Sequence, residues 1–243
     1  MTGSYKSKKL NFFIEYVVIA FYVSLLAIIL YKHEPWFDEG QAWLLARDLS
    51  VKDLFFKYLR YEGSPGLWHL ILTLPAKLHM PYYTISIISG LIAAAGVFVF
   101  VKFSPFPVHV KILLPFSYFI FYQYAVVARS YVLLPLLLFL TATLYKRRKS
   151  KIFCFVLLMC LLANANLHGM IISIAIMFIN FIELILDWSG IERRSKITYV
   201  ISYLLYGAVI GVNMFVLWPA SDLLVGGGFN MSIRPYAHVK AAS

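Results

Sequence analysis

The sequence predicts an all-α, polytopic membrane helix bundle, on three observations. Of its 243 residues, 61% are hydrophobic and 14% are charged, against roughly 25% charged in soluble domains. The apolar residues collect into runs near the length of about 20 that crosses a bilayer. The net charge of +11 comes from Lys and Arg in the short segments between those runs, as in the cytoplasmic loops of membrane proteins. A basic stripe for nucleic acid would instead concentrate on one face, so no nucleic-acid partner is expected.

The expected spans are 12–31, 82–101, 110–125, 130–145, 152–167, 170–186 and 197–218. The first follows "YKSKK", lacks a small-residue cleavage site, and reads as an uncleaved helix rather than a signal peptide. An eighth apolar stretch, 66–80, is short and contains Pro75, His69, Lys77 and His79. With the N-terminus cytoplasmic, a non-crossing 66–80 leaves "KFSPFPVHVK", "KRRKSK" and "ERRSK" all inside; a crossing one puts all three outside. Residues 66–80 are therefore expected to be re-entrant or interfacial. The whole chain, 1–243, is then a single membrane domain. Residues 32–81 form an outer loop, 82–218 hold the remaining spans, and 219–243 form an outer tail.

Within the outer loop, Ser50 and Asp53 match a capping box for a helix near 51–60. Leu54, Phe55, Tyr58 and Leu59 share its apolar side, while Lys52, Asp53, Lys57 and Arg60 face water, as in a helix lying on the membrane surface. "YEGSPG" then breaks the chain. Cys154 and Cys160 fall in one apolar run without metal-ligand spacing and receive no role.

"PWFDEGQAWLLARD" places Asp38 and Glu39 just past the first span, "EGSPGLWHLIL" follows, and "ARSY" (128–131) lies in the second outer loop. In order and spacing over roughly residues 10 to 190, these stretches resemble the GT-C class of membrane glycosyltransferases, which includes protein O-mannosyltransferases and aminoarabinose lipid A transferases. The resemblance implies transfer of a sugar from a polyprenyl-phosphate donor to an acceptor lipid, glycan or protein at the outer face of the inner (plasma) membrane. It matches Asp38 to the family's catalytic base or acceptor-positioning aspartate. A carboxylate there can take the proton that an acceptor loses as its bond to the anomeric carbon forms.

Arg129, the one charged residue of its loop, is the candidate contact for the leaving phosphate. Glu39 is grouped with Asp38 and can orient it, bind substrate or help hold a divalent ion. The resemblance further implies substrate or carrier contacts for Glu62, His69 and His168. The family often has an acidic residue directly before the Ala-Arg pair; here Val127 occupies that place. Family members also usually have more spans than this chain, as expected of a truncated product or a small relative.

Each residue has a plainer reading. An acidic pair past a span can be a solvated boundary, and Arg129 can snorkel to headgroups. Trp36 and Trp43 suit an interfacial belt. His69 can be an interface histidine, Asn164, Asn166 and His168 can cap and turn the chain, and Glu15 and Glu183 can snorkel at the inner boundary. His33, Asp38 and Glu39 could hold a metal, yet no spacing demands one, so the cofactor is left open. Two rival functions are a lipid-linked-substrate transporter, which needs ionisable residues midway along the spans, and a non-catalytic relative that binds lipid phosphate.

Overall fold

The computed structural model describes residues 2–219, and no strand occurs among them. The expected outer tail therefore lies, except for its first residue, outside the described residues.

Four helices are long and apolar enough to cross a membrane. They are α1 (Thr2–Lys32), α6 (Thr84–Phe103), α10 (Leu167–Leu186) and α11 (Arg193–Leu217). Between α1 and α6 lie α2 (Phe37–Asp48), α3 (Val51–Asp53), a wide π-helical turn at Leu54–Tyr58, α4 (Leu59–Glu62) and α5 (Leu67–Lys77). Between α6 and α10 lie α7 (Val108–Leu113), α8 (Leu133–Tyr145) and α9 (Ile152–Ala165).

Three of the seven expected spans differ from the sequence reading. The run 110–125 is not one helix: α7 passes into a tight 3-10 turn at Leu114–Phe116 and then a π-helical stretch at Phe119–Val126. Pro115, which has no N–H to continue a ladder, sits at this break. The other two, Ser130–Tyr145 and Ile152–Ala165, are apolar but shorter than the four long helices.

The helices reverse direction and share one core of α1, α5, α6, α8, α9 and α10 side chains, including Tyr22, Leu72, Phe100, Leu137, Phe155 and Met177. Close approach is enforced where α9 meets α10. A Cβ at Gly169 would lie 2.4 Å from the carbonyl oxygen of Leu162, so only glycine fits. Asn166 caps α10 there, its side chain accepting from the Gly169 N–H at 2.9 Å.

One end of the bundle is basic and laced by ion pairs. Glu15 of α1 accepts from Lys102 of α6 and Lys111 of α7 at 3.0 and 2.8 Å. Arg148 pairs with Glu183, and Lys149 with Asp187. Glu15 and Glu183 are thus paired to protein cations rather than simply reaching to solvent.

The opposite end carries α2 to α5. The expected helix near 51–60 is present as α3, the π turn and α4, with Ser50 accepting from the Asp53 N–H at 3.0 Å. Leu54 and Leu59, at either end of the widened turn, are both buried and pack with Val216 of α11. The 66–80 stretch forms an eleven-residue helix, α5, with Pro75 inside it. Gly66 turns the chain into α5 at φ 106°, where a Cβ would also strike Leu59 Cδ1 at 2.5 Å.

The sequence reading had no helix at 37–48. This α2 packs along α5, which buries Trp43 to 4% exposure, edge-on to Tyr82 at 6.0 Å. Trp43 is therefore a core residue and not part of an interfacial belt; Trp36, at the helix entry, is 45% exposed.

Candidate functional site

Asp38 and Glu39 occupy the first turn of α2, where carboxylates complement the helix dipole. Neighbours on a helix point about 100° apart, and the pair divides accordingly. Glu39 turns into the protein and is 1% exposed. Its Oε2 accepts from the Trp36 backbone N–H at 2.6 Å, the reach-back of a capping box, and lies 3.0 Å from His33 Nε2. Its Oε1 accepts from the backbone N–H of Ala128 at 2.6 Å. One buried carboxylate therefore joins the end of α1, the start of α2 and the loop after the Phe119–Val126 turn.

Asp38 faces outward, half exposed, with Oδ2 3.1 Å from Arg129 Nη2. The two residues are 91 positions apart in the chain and meet because Glu39 holds Ala128, the residue before Arg129. Val127, where the resembled family often has an acid, is fully buried. The acid that meets Arg129 comes from α2 instead.

Aromatic rings continue the site beyond Arg129. Its guanidinium carbon lies 5.4 Å from the Tyr131 ring centre. Tyr131 stacks on Tyr124 at 6.0 Å and contacts His168 at 6.2 Å. His168, the second residue of α10, is thus placed one ring away from Arg129 rather than against it.

Glu62 ends α4 and closes the inner side of the site. Its Oε1 accepts from the Gln41 amide, one turn along α2 from Asp38. Its Oε2 lies 3.8 Å from His69 Nε2, too far for a hydrogen bond. Burial raises the Glu62 carboxyl above its ordinary range and the Asp38 charge adds to this, while the Gln41 hydrogen bond and Arg129 pull the other way. Burial alone holds the His69 imidazole down at about 4, so the ring is neutral near pH 7 and the pair is not an ion pair. Among the described residues, neither ring nitrogen of His69 has a hydrogen-bond partner.

Of the six residues singled out from sequence, Asp38, Glu39, Arg129 and Glu62 come together, with His69 behind Glu62 and His168 behind Tyr131. Sequence reading named His33 only as a conceivable metal ligand, and it missed Gln41, Tyr131 and the Ala128 N–H. Gln41 had a legible signal, since it lies three residues after Asp38 and shares its face once α2 is recognised as a helix. A backbone donor such as Ala128 leaves no signal in side-chain chemistry. Among the described residues, no three His, Cys, Asp or Glu side chains converge as metal ligands.

Comparison with protein-family models, with curated proteins and with solved structures finds no match.

Proposed function

We propose that the chain is a membrane glycosyltransferase that moves a sugar from a polyprenyl-phosphate donor to an acceptor at the outer face of the membrane. The observation that carries this reading is the Asp38–Arg129 contact at 3.1 Å. It sets a proton acceptor beside a cation, at the end of the bundle away from the basic, ion-paired end. In this reading the basic end is cytoplasmic, all seven apolar runs cross with the bilayer thinned around the shorter ones, and α5 is re-entrant.

The chemistry divides between the two residues. Arg129 holds the bridging phosphate and balances the charge that grows on it as the bond to the anomeric carbon breaks. When the donor occupies Arg129, the Asp38 carboxylate is released toward the acceptor and takes its proton as the new glycosidic bond forms. Attack from the face opposite the phosphate gives inversion. Tyr124 and Tyr131 offer ring faces beside the phosphate position for the apolar face of a sugar.

Transfer assays on membranes with a radiolabelled polyprenyl-phosphate sugar test the division of roles. Arg129→Ala should raise KM for the donor and lower kcat, whereas Asp38→Asn should lower kcat with little change in donor KM. Donor binding that persists in wild type without any transfer would favour a non-catalytic protein that binds lipid phosphate.

A further inference from the structure

Glu62 is a partly buried carboxyl that has no Lys or Arg in contact with it among the described residues. Its side chain is 16% exposed, its one hydrogen-bond donor among the described residues is the neutral Gln41 amide, and His69 Nε2 is 3.8 Å away. Asp38 and Arg129 both act on it electrostatically, but Arg129 is already in contact with Asp38. With Glu62 ionised, the cluster of Asp38, Glu62 and Arg129 carries a net negative charge and repels an anion. With Glu62 protonated, the cluster is neutral and a phosphate meets Arg129 without a second opposing carboxylate.

We propose that Glu62 is a proton-operated charge gate for the lipid-phosphate site: in its neutral form it admits a phosphate at Arg129, and in its ionised form it excludes one. Binding of the phosphate lipid then draws one proton from solvent onto Glu62. This rests on the reading of Arg129 as a phosphate contact.

The surroundings suit such a gate. The groups facing Glu62 are Asp38 and Gln41 from α2, Arg129 from the second loop and His69 from α5. The part of α11 packed near α4 contributes Val216, and residues 207–219 include no titratable side chain. On its own segment, Arg60 donates to the Phe56 carbonyl and Lys57 pairs with Asp53. His69 is already neutral above pH 5, so it does not titrate where the gate works. The direction of the Glu62 shift, upward with burial as its largest cause, favours the neutral form over a wider pH range than an ordinary glutamate has.

The test measures binding of the methyl diester of polyprenyl phosphate to the full chain in detergent, between pH 5 and pH 8. The diester has one charge throughout that range, so any change belongs to the protein. Wild type should bind more weakly at pH 8 than at pH 5, by up to about tenfold, the scale expected of one added charge near the site. Glu62→Gln, neutral at every pH, should lose most of that dependence and bind at pH 8 more tightly than wild type does at pH 8. Any pH-dependence that does not come from Glu62 persists in the variant and is subtracted by it. Uncharged polyprenol should bind without difference between the two proteins. Wild-type binding equal at pH 5 and pH 8 would overturn the gate and leave the phosphate contact standing. Absence of diester binding in both proteins, each giving a normal thermal transition, would remove the phosphate site and the gate together.

Discussion

Glu39 Oε1 accepts the backbone N–H of Ala128 at 2.6 Å, and the residues beside these two, Asp38 and Arg129, stand 3.1 Å apart. The buried bond and the exposed pair are one arrangement seen from two sides. Glu39, which is inaccessible, fixes the geometry, while Asp38 and Arg129 are partly open to solvent and are the residues on which the proposed chemistry rests.

Truncating Glu39 should therefore cost stability as well as function. Glu39→Ala leaves the Ala128 and Trp36 N–H groups buried without acceptors, and each unsatisfied donor costs about 1–3 kcal/mol. Glu39→Gln keeps one acceptor oxygen and turns an amide NH2 toward a donor, so it should fall between wild type and alanine. Thermal unfolding in detergent checks the order.

Asp38→Asn and Arg129→Ala should behave differently. Their contact is partly solvated, with side chains 50% and 34% exposed, and such pairs contribute within about 1 kcal/mol. The expected outcome is a thermal midpoint close to wild type in both, with donor affinity weakened at least about tenfold in Arg129→Ala, on the scale of one charge-assisted hydrogen bond. A collapse of stability in either would make the pair structural.

His69 gives a pH-dependence of opposite sense to the one argued for Glu62. Its folded-state value is lowered to about 4 from an ordinary 6.5, so between those limits the unfolded chain binds a proton that the folded chain refuses. Its contribution is intact above pH 6.5 and is lost as pH falls toward 4, by at most roughly 3 kcal/mol. Midpoints measured from pH 7 to pH 4.5 should fall in wild type and fall less in His69→Gln.

Gly66 tests how the outer elements are joined. At φ 106°, with Leu59 Cδ1 2.5 Å from a prospective Cβ, Gly66→Ala should destabilise the turn between α4 and α5 by about 1–3 kcal/mol. Gly190→Ala, where no atom lies within 4 Å of the added carbon, serves as the control and should change little.

Much of this was legible in the sequence, for identifiable reasons. Long runs such as those of α1 and α6 announce themselves by composition, and the Ser50 cap by its spacing to Asp53. The helix α2 was not legible, because "FDEGQAWLLARD" mixes polar and apolar residues without a clean stripe and its apolar face is completed only against α5. For the same reason Trp43 read as an interface residue. The break in 110–125 follows from Pro115, but a proline alone does not tell a kinked span from a 3-10 turn followed by a π-helical one. At the site, the resemblance to the GT-C class, and not residue type alone, singled out Asp38, Glu39 and Arg129. Which carboxylate is buried and which is open depended on the helical turn between them, and so on α2.

The central claim is that Asp38, held against Arg129, removes a proton during sugar transfer from a lipid phosphate. The most direct measurement is the rate of sugar transfer from polyprenyl-phosphate donors by membranes carrying the wild-type chain, beside membranes with equal amounts of correctly inserted Asp38→Asn. The account predicts turnover in wild type and a loss of at least about a hundredfold in the variant, the scale of general-base catalysis. Equal turnover in the two would contradict it.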